Sequence, residues 1–206
     1  MPQPTIIETL SLDQIADWLG DRLDLALMPR YDEVIITVPG GSTPFPIMER
    51  LVGRDLPFSR LTVWPNDDRL VPEDHPASNT GKLRALFEPS GAKVMTLSDT
   101  ETPPRFDLAW LGMGADGHVA SLFPNTDPRS DDPARIRRIT PDPLPPEAPF
   151  ERITLTLPAL LDSDELVFTI NGADKRRVFA DAARGRNDLP VARLLAAAPQ
   201  PITCFA

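Results

Sequence analysis

The feature that most constrains the fold is the alternation of short apolar runs with segments of helical periodicity. The runs Val34–Val38 and Leu166–Ile170 are almost continuously apolar, as is typical of strands covered on both faces. The chain has 206 residues, enough for one substantial core. These observations predict a single α/β domain over residues 1–206, with a mostly parallel sheet and helices on both faces. Ligands of such sheets bind where loops leave the carboxyl ends of the strands.

The remaining elements follow from the same two periodicities. Ser11 and Gln14 have the spacing of a capping box, and apolar residues then recur at helical intervals. Thr43 is the expected N-cap of a second helix, with Pro44 at its first position. Further strands are predicted at 61–64, 93–97, 106–112, 136–140, 152–156 and 202–205, and further helices at 77–87, 115–123, 158–161, 175–183 and 191–198.

The segment from Asn125 to Phe150 interrupts this rhythm. It is rich in Pro and Asp, a composition that favours irregular structure. We expect a long surface excursion with one strand at Ile136–Thr140.

Composition limits the function classes. The net charge is −9 and the pI is about 4.7, which disfavours nucleic acid as a partner. We find neither a signal peptide nor an apolar run long enough for a membrane span, and therefore expect a cytoplasmic protein without a membrane partner. Cys204 is the only cysteine, so no internal disulfide or thiolate cluster is expected. The two histidines, His75 and His118, have no recognisable metal-ligand spacing, so neither a metal nor a cofactor is predicted.

The stretch "LGMGADGHVASLFP" contains G-x-G-x-x-G at Gly112, Gly114 and Gly117. A dinucleotide site would need an acidic residue about 20 positions later, and none occurs there. Asp116 lies inside the loop, where its carboxylate would repel a pyrophosphate. The pattern therefore does not favour a dinucleotide site.

A second glycine loop, "PGGSTP", also follows a strand. It lacks the lysine and the length of a Walker A loop. Gly40, Gly41, Ser42 and Thr43 can present backbone N–H groups and hydroxyls to one phosphate or carboxylate. An ordinary tight turn with a Thr cap is the equally open alternative.

His118 is the best candidate for proton transfer, because imidazole titrates near neutral pH. Asp116, two residues earlier, can orient its ring. Ser121 follows at the i+3 position, so an acyl-serine mechanism has to be considered, but the G-x-S-x-G nucleophile elbow is absent. We therefore interpret Ser121 as a packing residue.

Other charged residues follow predicted strands. Asp67, Asp68 and Arg69 come just after the strand at 61–64, which is also what a solvated loop would show. Lys175 is predicted in the first turn of a helix, where a cation is unfavourable for the helix dipole, and this favours a ligand role. Arg152 is a candidate second cation.

Taken together, "PGGSTP", "NDDRLVP", "SN" at 78–79, "LGMGADGHVASLFP" and "ERITLTLPALL...NGADK" resemble the 6-phosphogluconolactonase family in order and spacing, from Val34 to Lys175. The resemblance implies a Rossmann-like α/β fold, also found in glucosamine-6-phosphate deaminases and ribose-5-phosphate isomerases. It implies hydrolysis of 6-phospho-D-glucono-1,5-lactone, a step of the oxidative pentose phosphate and Entner-Doudoroff pathways, without a metal.

The resemblance also implies roles for individual residues. His118 would activate water as the general base, beside Asp116. The substrate, a small phosphorylated sugar lactone, would be held by Gly40, Gly41, Ser42, Thr43, Asp67, Arg69, Asn79, Arg152 and Lys175. Two departures stand out: Asp68 replaces a Glu usual in the family, and the chain after Lys175 is shorter than usual.

Two alternatives remain. In the deaminase and isomerase branch a Glu takes part in proton transfer where this chain has Phe123, which cannot do so. The second alternative is a non-catalytic sugar-phosphate sensor, although the sequence shows no basic helix-turn-helix that would bind DNA. A monomer or small homo-oligomer is expected.

Overall fold

The computed structural model describes residues 3–8, 11–27, 33–144, 146 and 148–206. Its strands are β1 Thr5–Ile7, β2 Val34–Val38, β3 Leu61–Pro65, β4 Asp67–Arg69, β5 Lys93–Val94, β6 Leu108–Leu111, β7 Ile136–Ile139, β8 Arg152–Leu155, β9 Leu166–Thr169 and β10 Ile202–Phe205. Its α-helices are α1 Leu12–Leu27, α2 Phe45–Val52, α3 Asn79–Phe87, α4 Leu157–Leu161, α5 Ala173–Ala183 and α6 Pro190–Ala197.

The main sheet has seven strands in the order β1-β10-β9-β6-β2-β3-β5, and every pairing in it is parallel. From β2 the chain winds through β3 to β5 at one edge, whereas from β6 it winds through β9 and β10 toward the other. Such a reversal between neighbouring strands opens a crevice at their carboxyl ends. The loops after β2 and β6 therefore meet at this crevice.

Helices cover both faces of the main sheet, which confirms the predicted α/β architecture. The side chains of β6 alternate between two cores: Trp110 packs with residues of α1, α2 and α3, and Leu111 packs with residues of α4, α5 and α6. No helix in the described ranges is long and apolar enough to cross a membrane.

A second, antiparallel sheet of three strands has the order β4-β8-β7. Sequence reasoning did not predict it, because β4 consists of Asp67, Asp68 and Arg69, residues that are not typical of strands. Strand β7 confirms the strand expected within the proline-rich excursion, apart from its last residue. Pro145 and Glu147 of that excursion lie outside the described residues.

The helix starts agree with the sequence only in part. The Ser11 backbone N–H donates to Gln14 Oε1 at 2.9 Å and the Gln14 N–H donates to Ser11 Oγ at 3.2 Å, so the capping box is confirmed. The predicted Thr43 cap of α2 is wrong. Pro44 already has helical dihedrals and occupies the N-cap, and no side chain of the described residues caps this end. The strand predicted at 93–97 is also shorter, since only Lys93–Val94 pairs.

We expect Leu19→Ala to lower the free energy of unfolding by about 2–5 kcal/mol, because it opens a cavity in a packed core. Leu19 is 1% exposed. Leu25→Ala in the same helix is the matched control, because Leu25 is 67% exposed and its truncation leaves the core intact. Urea unfolding measures both, and equal losses would contradict the packing described for α1.

Candidate active site

The crevice between the ends of β2 and β6 contains a pocket of about 270 Å³. Most of the predicted site residues line it: Gly40, Gly41, Ser42, Thr43, Asp67, Arg69, Asn79, His118 and Lys175. Asp116 and Arg152 are outside the lining. Gly40 and Lys175, 135 positions apart in the chain, therefore converge here because their loops leave one edge of the sheet.

His118 and Asp116 form a hydrogen-bonded pair. His118 Nδ1 lies 2.6 Å from Asp116 Oδ1, and the His118 backbone N–H donates to the same oxygen at 3.3 Å. Burial opposes ionisation of Asp116, but the hydrogen bonds and charge of His118 outweigh it and lower the pKa of this carboxyl below its usual value. An ionised Asp116 selects the tautomer with the proton on Nδ1, which leaves Nε2 as the basic nitrogen.

The segment that presents this pair is a tight loop, so the helix predicted at 115–123 is wrong. The Gly117 N–H donates to Gly114 O at 3.1 Å, and the Gly114 N–H donates to His118 O at 3.0 Å. Gly117 has φ of 79° and Ala120 has φ of 49°. These left-handed residues turn the chain back on itself and prevent helix formation.

The imidazole of His118 is packed on two sides. A Cβ at Gly114 would overlap the imidazole ring and the Asp116 carboxylate, so only glycine leaves room for them. The ring centroid of Phe123 lies 4.7 Å from that of His118. This packing restricts the ring and places an apolar group beside it.

The loop after β2 supplies backbone donors. Gly41 has φ of 101°, which glycine adopts without strain. Within the described part of the chain, the N–H groups of Gly41, Ser42 and Thr43 donate to no protein acceptor. A Cβ at Gly40 would overlap the amide of Asn79, so this glycine lets the loop approach α3.

Asp68 anchors the start of α3. Its carboxylate accepts from the backbone N–H groups of Asn79 at 2.6 Å and Thr80 at 2.8 Å, and from Ser78 Oγ at 3.1 Å. The N–H of Arg69 donates to it at 2.7 Å. A carboxylate at a helix N-terminus is favourable, and here it holds Arg69 and Asn79 against each other. Sequence reasoning gave Asp68 no such role, because its partners at the start of α3 lie ten or more positions away.

Two arginines lie close together near this anchor. Arg69 Nη1 donates to Ala77 O at 2.7 Å and to Asn79 Oδ1 at 3.3 Å, and its buried Nε has no partner within the described ranges. Arg152 donates to the carbonyls of Ala148 and Phe150. Burial, and next the positive charge of Arg69, lower the pKa of Arg152. Arg152 is thus a second cation beside Arg69, outside the pocket lining.

Lys175 is the third residue of α5, which confirms its predicted place in the first helical turn. Gly172, the N-cap of α5, has φ of 99°, a conformation that glycine adopts without strain. Lys175 is half-buried, and no carboxylate among the described residues pairs with it. It is therefore a cation available to an anionic ligand.

Neither Ser121 nor Cys204 is arranged as a nucleophile. Ser121 is buried, and its hydroxyl donates to Asp67 Oδ2. Cys204 is fully buried in β10, and burial raises the pKa of its thiol to about 12. A thiol with that pKa is almost entirely protonated at neutral pH.

Several pocket residues were not predicted, among them Met113, Ala120 and Thr169. Thr169 is the last residue of β9, so the rule that strand ends line the site identifies it. Ala120 carries no chemical signal in the sequence, because its place depends on the positive φ of the loop.

Comparison with known proteins gives one consistent result. The family described as glucosamine-6-phosphate isomerases/6-phosphogluconolactonase matches residues 9–100 and 91–202. The chain is 32% identical to the 6-phosphogluconolactonase of Mesorhizobium japonicum over 93% of this chain and 88% of that protein. It is 33% identical to the 6-phosphogluconolactonase of Thermotoga maritima over 82% of this chain and 83% of that protein.

A solved 6-phosphogluconolactonase structure from Thermotoga maritima superposes with a TM-score of 0.82, covering 98% of each chain at 23% identity. At this identity the superposition supports the fold alone. The family match and the identities over most of the chain carry the assignment, and the protein belongs to the glucosamine-6-phosphate isomerase/6-phosphogluconolactonase family.

Proposed function

We propose that this protein is a 6-phosphogluconolactonase, which hydrolyses 6-phospho-D-glucono-1,5-lactone to 6-phospho-D-gluconate. The observation that carries the proposal is the His118–Asp116 pair at a pocket that also holds Arg69 and Lys175, a lysine that no carboxylate in the described ranges pairs with. A base and two cations in one crevice suit an ester that carries a phosphate. The relatives named 6-phosphogluconolactonase support the same reaction.

In the proposed mechanism His118 Nε2 takes a proton from water as the water oxygen attacks C1 of the lactone. The C1 carbonyl becomes a tetrahedral oxyanion, which donors lining the pocket would stabilise. The bond from C1 to the ring oxygen then breaks, and His118 returns its proton to that oxygen. Asp116 stabilises the imidazolium formed between these steps. These steps use no metal, cofactor or enzyme nucleophile.

Binding of the substrate is assigned to the two loops and the cations. We assign the phosphate to Lys175 and Arg69, with Arg152 adding positive charge beside Arg69. The free N–H groups at 41–43 and the amide of Asn79 would bind the polar groups of the sugar. A cytoplasmic, single-domain protein that is a monomer or small homo-oligomer remains the expectation.

The deaminase alternative has less support. Family membership alone does not distinguish the two functions, because the family includes isomerases as well as lactonases. Phe123, at the position of the deaminase Glu, packs against His118 and cannot transfer a proton. Phe123 thus favours hydrolysis over amino-sugar chemistry.

We expect His118→Ala to lower kcat for the lactone by about 10²–10⁴-fold, because the general base is lost. NMR of freshly prepared lactone, corrected for spontaneous hydrolysis, measures this. His75→Ala is the control, since His75 is the other histidine and lies outside the pocket. Full activity of His118→Ala would remove His118 from the mechanism.

We expect Lys175→Ala and Arg69→Ala to raise KM for the phosphorylated lactone by about tenfold or more, because each removes a charged partner of the phosphate. The same variants should leave KM for the unphosphorylated lactone nearly unchanged. Lys82→Ala is the matched control, an exposed lysine outside the pocket. An unchanged KM in both pocket variants would refute the phosphate assignment.

We expect Gly114→Ala to lower kcat by at least tenfold while the protein still folds, because the new methyl group displaces the His118 ring. Gly53→Ala is the control: its Cβ would contact backbone oxygens only at 3.4 Å and beyond. Steady-state kinetics and thermal unfolding of both variants measure the difference. Equal activity of the two would show that the ring position does not depend on Gly114.

A further inference from the structure

Ser121 lies at a junction between the two sheets. It is 1% exposed and follows His118 in the loop after β6, a strand of the main sheet. Its N–H donates to Thr154 Oγ1 at 3.2 Å, and its hydroxyl donates to Asp67 Oδ2. Asp67 and Thr154 are themselves paired across β4 and β8 of the small sheet. Hydrogen bonds thus attach the loop that carries His118 to the strand that carries Asp67.

Asp67 is the pocket residue whose carboxylate is oriented by this attachment. It lines the pocket with His118 and Lys175. Its Oδ2 accepts a hydrogen bond from Ser121, and its Oδ1 has no hydrogen-bond partner within the described part of the chain. A carboxylate repels phosphate but accepts hydrogen bonds from hydroxyls. The hydroxyl-bearing ring of a sugar, rather than its phosphate, therefore suits Asp67.

We infer that Ser121 is a positioning residue, which orients Asp67 so that its second oxygen accepts a hydrogen bond from a ring hydroxyl of the bound lactone. The inference rests on the proposed function. It gives a role in substrate binding to a serine that neither touches the pocket nor acts as a nucleophile.

The charged groups around Asp67, together with Ser121, affect the pKa of its carboxyl. Arg69 and Asp68 are its strand neighbours, His118 faces it from the loop after β6, and Arg152 lies on β8. Burial raises the pKa of Asp67 above its usual value, while the Ser121 hydrogen bond and the charges of Arg69 and His118 act in the opposite direction. Removing the Ser121 hydroxyl should raise this pKa further, because a donor to the ionised form is lost.

The first test compares Ser121→Ala with Ser163→Ala. Ser163 is a matched control: it is 2% exposed and donates to Leu160 O at 2.9 Å, outside the pocket. We expect Ser121→Ala to raise KM about tenfold and to move the acid limb of kcat/KM to higher pH. Ser163→Ala should show neither change, even if both variants lose stability.

The second test removes the carboxylate. In an Asp67→Asn background, Ser121→Ala should cause no further rise in KM and no shift of the acid limb, because the two residues act through one interaction. Ser121→Cys keeps a weak donor of similar shape, and we expect it to fall between wild type and Ser121→Ala. Circular dichroism checks the fold of every variant, and Asp67→Asn and Ser121→Cys still test the inference if Ser121→Ala does not fold.

The outcomes separate this inference from the proposed function. If the wild type does not hydrolyse the lactone, both are wrong. If the wild type hydrolyses it but Ser121→Ala behaves like Ser163→Ala, or adds its full effect to that of Asp67→Asn, only the inference is overturned.

Discussion

The reversal of winding between β2 and β6 is the constraint on which the site depends. These strands are neighbours in the main sheet, with Ile36 beside Leu108 and Thr37 beside Ala109. Because the chain leaves them toward opposite edges, no crossover helix fills the space above their carboxyl ends. The loop with Gly41 and the loop with His118 occupy the two sides of that space, and their hydrogen-bonding groups point to one small volume.

Electrostatics determines what that volume can bind. The protein carries a net charge of −9, and three carboxylates lie at or beside the pocket. Each is compensated by donors of the protein itself: Asp68 by the N–H groups of α3, Asp116 by His118 and Asp67 by Ser121. Among the residues that the structure describes, Lys175 has no such partner. An acidic protein can therefore attract a phosphorylated substrate locally, because each of these carboxylates accepts at least one hydrogen bond from the protein, whereas Lys175 pairs with no carboxylate of the described residues.

The sequence predicts some of the strands and site residues but not others. Buried strands such as β2 and β9 could be predicted because each is a continuous apolar run, and the strand-end rule brought Ser42, His118 and Lys175 together. Strand β4 could not, because its charged residues pair with β8, more than 80 positions away. The partnership of Ser121 with Asp67 spans 54 positions, and no local pattern in the sequence encodes it.

The glycines of the loop after β6 show why a motif needs its physical context. A dinucleotide loop uses glycines so that a pyrophosphate can approach the backbone. Here Gly114 makes room for the imidazole of His118, and Gly117 adopts a positive φ that turns the chain before that ring. The same glycine spacing therefore accommodates a protein side chain here, whereas in a dinucleotide loop it accommodates a ligand. The residues between and after the glycines, Asp116, His118 and Phe123, distinguish the two uses, because they decide whether a base or a phosphate occupies the turn.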